Sequence, residues 1–108
     1  YKVSPSQSGC PTLIHLSAKG SEKYLLSKFD PVREASRLIA SLNVDETTNF
    51  IVVGIGLGYQ LTELIKVVSE FSKIIVIEND SQLARLAFET NDFKQFLTHP
   101  GLLSLIPI

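Results

Sequence analysis

An apolar run turns through three alternating glycines in Ile51-Val52-Val53-Gly54-Ile55-Gly56-Leu57-Gly58, and helix-like spacing resumes at Tyr59-Gln60-Leu61. Strands with apolar residues at consecutive positions belong to parallel sheets covered on both faces. Glycines at alternate positions let the backbone turn tightly and approach another group without side-chain interference. A second apolar run, Ile74-Ile75-Val76-Ile77, ends on Glu78, twenty residues beyond Gly58. Strand, glycine turn, helix, strand and terminal carboxylate together predict a βαβ unit with a right-handed crossover.

The rest of the chain can be placed around that unit. Residues 1–11 are rich in Ser, Pro and Gly and read as an extended lead-in. Thr12–Leu16 and Lys23–Leu26 read as strands joined by the turn Ala18-Lys19-Gly20-Ser21, a β-hairpin. Asp30-Pro31 signals a helix start, because Asp accepts from free first-turn N–H groups and Pro fits the first helical position. Val32, Ala35, Ile39 and Leu42 would form the inward face of that helix, which is expected to end near Asn43. Strand 50–53, a helix from 58 to 70 and strand 73–78 follow. The stripe of the second helix is Leu61, Leu64, Ile65 and Val68, with Glu63, Lys66 and Glu70 toward water. Asp80 or Ser81 caps a third helix that points Leu83, Leu86 and Ala87 inward. Phe93, Phe96 and Leu97 make a short amphipathic turn, and Leu102–Ile106 is the last strand.

The expected fold class is α/β: a Rossmann-like partial parallel sheet with helices on both faces, preceded by a β-hairpin. Residues 1–28 are assigned to the lead-in and hairpin and residues 29–108 to the Rossmann-like part. At 108 residues the chain holds one modest domain, and a chain of that size buries roughly 65% of its unfolded surface. The hydrophobic share of 44% supplies the core. Because the chain starts at Tyr1, lacks Met and ends within the pattern Leu-Ile-Pro-Ile, it reads as a piece of a longer protein. Ten basic and eleven acidic residues give a net charge of −1, with no block of either sign. No bulk attraction to nucleic acid or to an anionic membrane is expected from that balance. The apolar runs fall far short of the ~20 residues that cross a bilayer. Cys10 has no companion for a disulfide or a metal site, and a reducing cytoplasm is the expected setting.

The glycine corner is the candidate cofactor site, made of Gly54, Gly56, Gly58 and Glu78. N–H groups around such a turn can face an anion, and a carboxylate at the end of the next strand can accept from two ribose hydroxyls. A dinucleotide fingerprint would need a glycine where Tyr59 stands. The G-x-G-x-G form resembles motif I of S-adenosylmethionine-dependent methyltransferases, and Glu78 resembles their ribose-binding acid. Those enzymes usually carry an acidic residue two positions before the first glycine, where this chain has Val52. The alternative stands beside it: the glycines only permit close packing, and Glu78 caps or solvates a strand end. The cofactor, if any, is left unassigned.

No other residue set carries chemistry as well. His15 and His99 lack partners at metal-ligand spacing, and His99 before Pro100-Gly101 reads as a turn residue. No G-x-S-x-G nucleophile turn occurs. Arg33, Glu34 and Arg37 read as a solvated helix face. Tyr59 could stack on a base or line the turn, and Phe88, Phe93 and Phe96 read as core. No catalytic residue and no metal ligand is assigned.

Four segments occur in the order Ser8-Gly9-Cys10-Pro11-Thr12-Leu13, Tyr24-Leu25-Leu26-Ser27-Lys28-Phe29-Asp30-Pro31-Val32-Arg33-Glu34-Ala35, Val53-Gly54-Ile55-Gly56-Leu57-Gly58-Tyr59 and Ile75-Val76-Ile77-Glu78. Together they resemble the amino-terminal domain of the motility accessory factor (Maf) family, bacterial glycosyltransferases that transfer nonulosonic acids such as pseudaminic or legionaminic acid to flagellin. The order matches the family's, and the similarity covers nearly the whole chain. It departs at Leu26, where His is common, and at Phe29, where Tyr is common. The resemblance implies an accessory domain, structural or partner-docking, of a flagellin glycosyltransferase whose chemistry lies in a following domain. The implied partners are the remainder of that enzyme and flagellin.

Overall fold

The computed structural model describes residues 1–107, and side chains through Leu102. Two three-stranded sheets carry the fold. The first is antiparallel in the order β1-β2-β3, formed by β1 (Lys2–Pro5), β2 (Pro11–Leu16) and β3 (Glu22–Tyr24). The second is parallel in the order β4-β5-β6, formed by β4 (Phe50–Val53), β5 (Ile74–Glu78) and β6 (Leu102–Pro107). The helices are α1 (Pro31–Ala40), α2 (Tyr59–Leu64), α3 (Ser81–Thr90) and α4 (Lys94–Leu97). The element sequence after residue 30 is thus the one expected, in a Rossmann-like α/β fold.

Local chemistry explains the boundaries. The Asp30 carboxylate accepts from the Arg33 N–H at 3.0 Å, with Pro31 at the first helical position. Helix α1 ends at Ala40 rather than near Asn43, because Ser41 folds back and its hydroxyl donates to the Leu38 carbonyl at 2.6 Å. Leu42 therefore lies outside the helix and is exposed instead of inward-facing. Helix α2 stops at Leu64, not at 70. The β-branched residues Ile65, Val67 and Val68 follow, and their stiff side chains disfavour helix continuation. Ile65 and Val68 still pack on the core from the turns beyond the helix. Asp80 caps α3 by accepting from the N–H groups of Gln82 and Leu83.

The stretch expected as an extended lead-in is partly a strand. Residues Lys2 to Pro5 pair antiparallel with β2, Lys2 opposite Ile14 and Pro5 opposite Pro11. Pro5 and the neighbouring serines concealed it, and an edge position accepts a proline that a central strand would not. The second hairpin strand is also shorter than expected, ending at Tyr24.

Two hydrophobic clusters form the core. In the first, Ile74 and Val76 of β5 meet Leu61 of α2, Ala87 of α3, Phe93 and Phe96, with Phe50 and Val52 of β4 packed against them. In the second, Leu13 of β2 meets Ala35 of α1, Leu57 and Tyr59. The antiparallel sheet is thereby fastened to the glycine corner. Parallel pairing sets Ile51 beside Ile75 and Val53 beside Ile77, and these four residues belong to neither cluster. The two-sided cover expected of the Ile51–Val53 run is met on the Phe50/Val52 side. On the other side Ile51 is 71% and Val53 75% exposed.

Candidate functional site

The corner expected to hold a ligand exists as a geometric unit. Strand β4 delivers Gly54, Gly56 and Gly58 in succession, all at positive φ, while β5 brings Glu78 to the same end of the sheet. All four candidate residues meet there. A cleft of about 230 Å³ opens beside Gly54 and Gly56, lined also by Leu26, Glu34, Tyr59 and Gln60 among others; Gly58 and Glu78 are not in its lining.

The Glu78 carboxylate is already engaged. It is 4% exposed; Oε1 accepts from the Ile55 N–H at 3.2 Å and Oε2 from the Asp80 N–H at 3.1 Å. It clamps the glycine turn to the segment that leads into α3. Two of the glycines are likewise occupied by the protein itself. A Cβ on Gly58 would lie 2.0 Å from Cζ of Phe93, and one on Gly56 would lie 3.3 Å from Cδ2 of Leu26. Only Gly54 faces open space, with nothing within 4 Å of where its Cβ would stand.

Further contacts hold the loop. The Asn91 side-chain amide donates to the Leu57 carbonyl at 2.6 Å. Tyr59 lies buried and donates its hydroxyl to the Pro11 carbonyl at 2.6 Å, tying the corner to the antiparallel sheet. Burial, with the nearby Cys10 thiol, holds the Tyr59 phenol above its ordinary pKa. Tyr59 thus lines the turn and is committed to a backbone carbonyl.

The electrostatics of the cleft favour no anion. No Lys or Arg lines it, and its charged lining residue is Glu34, whose Oε1 accepts from the Ser27 N–H at 3.1 Å. A pyrophosphate would find no cation there; a neutral or cationic group fits the charge better. Among the described residues no three His, Cys, Asp or Glu side chains gather at metal-binding distance. His99 locks the turn before β6: its Nδ1 accepts from the Gly101 N–H at 3.0 Å, leaving Nε2 to donate to the Ser69 carbonyl at 3.0 Å. The sequence reading missed Leu26, Asn91 and Phe93 as parts of the corner. They come from segments up to thirty-five residues away, and no spacing signal connects them to the glycines.

Parallel strands, a glycine turn at the end of the first and a carboxylate at the end of the second define a Rossmann-like α/β domain. A SAM-dependent O-methyltransferase from Thermotoga maritima has a similar fold: TM-score 0.50, 17% identity, 86% of this chain and 39% of that one. The chain therefore spans about two-fifths of that structure's length. No curated protein sequence gives a significant match. The chain matches the glycosyltransferase Maf N-terminal domain over residues 1–99, and it belongs to that family. No helix among the described residues is long and apolar enough to cross a membrane.

Proposed function

We propose that this chain is the amino-terminal accessory domain, structural or partner-docking, of a bacterial motility-associated glycosyltransferase that transfers nonulosonic acid to flagellin in the cytoplasm. Its partners are the remainder of the parent enzyme and flagellin. Family membership supplies the parent enzyme class. The observation that carries the accessory role is the engagement of Glu78 by the Ile55 and Asp80 N–H groups. The carboxylate that would read a ribose instead holds the turn together. Transferase activity measured with the 108-residue chain alone is expected to be absent; sugar transfer by it would overturn the reading.

A second reading, an S-adenosylmethionine-binding module, keeps Gly54, Gly56, Gly58 and Glu78 as the cofactor corner. It is favoured by the open face of Gly54 toward a cleft without cations. It requires Glu78 to exchange two backbone donors for ribose hydroxyls. Calorimetric titration with S-adenosylhomocysteine, and with a cytidine nucleotide in parallel, separates the two. Micromolar affinity for the adenosyl ligand, about −8 kcal/mol, selects the cofactor site. Silence with both ligands selects the scaffold.

A further inference from the structure

Among the described residues no strand pairs with the outer side of β4. Phe50 donates its N–H to the Lys73 carbonyl and Gly54 to the Ile77 carbonyl, so alternate residues of β4 face β5. By that alternation the N–H and C=O of Ile51 and Val53 point to the opposite, free edge. Strand β4 reads Phe-Ile-Val-Val, with none of the lysines, prolines or bulges that blunt an exposed edge. A groove of about 240 Å³ runs along it, roofed by Leu38 and Leu42, themselves 46% and 44% exposed. On the other face, Ile51 and Val53 are exposed as well.

One occupant accounts for both the bare edge and the bare face. The spatial order β6-β5-β4 is the 3-2-1 half of a doubly wound sheet, whose strand 4 lies beside strand 1. A chain travelling from β6 past β4 reverses the direction in which the sheet has grown. Its right-handed crossover must then pass on the face opposite to α2 and α3, which is the face carrying Ile51 and Val53. Belonging to an amino-terminal domain family places further polypeptide in the parent enzyme.

We propose that β4 is a docking edge for a parallel strand from the polypeptide that follows residue 108 in the parent glycosyltransferase. That strand is apolar at consecutive positions, packing beneath Leu38 and Leu42 on one face. Its connecting segment covers Ile51 and Val53 on the other. The proposal rests on the reading that the domain works within a longer enzyme, and it names the surface by which it is joined.

Amide hydrogen exchange, resolved to single residues, tests this in the parent enzyme and in the 108-residue chain. The Ile51 and Val53 amides are expected to exchange at least about 100-fold more slowly in the parent, while Phe50 and Val52 are protected in both. Equal exchange of Ile51 and Val53 in the two proteins overturns the proposal. So does protection in the short chain that rises with its concentration and is not exceeded in the parent, because a second copy then holds the edge. As an independent arm, Ile51→Lys/Val53→Lys is expected to leave the melting of the short chain nearly unchanged and to lower that of the parent. An unchanged parent also overturns the proposal. Sugar transfer by the short chain would remove the accessory role without altering the exchange pattern, so the two readings fail separately.

Discussion

Removing the Glu78 carboxylate is expected to loosen the glycine corner more than its place at a strand end suggests. The side chain is 4% exposed and accepts from two backbone N–H groups. Hydrogen bonds to a charged acceptor are worth about 1.5–3 kcal/mol each, and a buried donor left unpaired costs about 1–3 kcal/mol. The Ile55 N–H lies in a buried setting and bears most of that cost; the Asp80 N–H is only partly buried and can turn to water. Glu78→Ala should therefore lose about 2–4 kcal/mol, a large part of a domain stability of about 5–15 kcal/mol. Glu78→Gln keeps one carbonyl oxygen but turns an NH2 toward the second donor, so about 1–2 kcal/mol is expected. Urea unfolding at neutral pH, followed by circular dichroism with the slope held common, gives the ordering. In melting experiments the Ala variant should fall by roughly 10 °C or more. An Ala variant within about 0.5 kcal/mol of the parent chain, below any one of these bonds, would refute the clamp. It would also return Glu78 to the list of groups free to meet a ligand.

The glycines supply a matched pair. Gly54→Ala should cost about 1–2 kcal/mol for its left-handed backbone alone, whereas Gly58→Ala adds an overlap with Phe93 worth about 1–3 kcal/mol more; equal losses in denaturant melts would contradict the packing. Tyr59→Phe should lose about 1 kcal/mol with the bond to Pro11. The raised Tyr59 pKa means that its stabilisation is whole below about pH 10 and is lost as pH rises through the folded value; the Phe variant should lack that part of the alkaline loss. At the other limb, the Tyr1 hydroxyl, ahead of the Gln82 and Leu83 N–H groups, holds Asp80 below its ordinary pKa. Its contribution is present above the ordinary carboxylate pKa of about 4 and disappears as pH falls through the folded value. Asp80→Asn should therefore flatten the acid end of a stability-versus-pH profile, and an unchanged slope would count against the Tyr1 contact.

What was legible in the sequence is what short-range chemistry encodes. Asp30-Pro31 marked a helix start because cap and first turn are adjacent in the chain, and α1 begins there. The runs at Ile51 and Ile74 announced neighbouring parallel strands, and they pair in register. Lys2–Pro5 escaped notice because a short edge strand gains its order from the partner across from it rather than from its own residues. Glu78 was placed correctly at the strand end, but its bonding to Ile55 spans twenty-three residues and depends on how the loop closes. Phe93 was read as core, and it is buried; that it packs on Gly58 follows only from tertiary assembly.

The three glycines share one pattern and a positive φ but differ in what surrounds them. Gly58 must be small because Phe93 fills the space of any side chain, and Gly56 because Leu26 comes within a few tenths of an ångström of doing so. At Gly54 only the backbone angle calls for glycine. All three glycines hold positive φ, and at Gly56 and Gly58 a close side-chain neighbour adds a packing requirement to that conformational one. Leu26 sharpens the point. It stands where a His is common in the resembling family, and here an apolar side chain lies over Gly56 beside the cleft. An apolar roof over a cleft without cations, together with a carboxylate committed to backbone donors, stabilises the turn and offers a charged ligand little. The same turn fixes the end of β4, and so the edge at which the next strand would join the sheet.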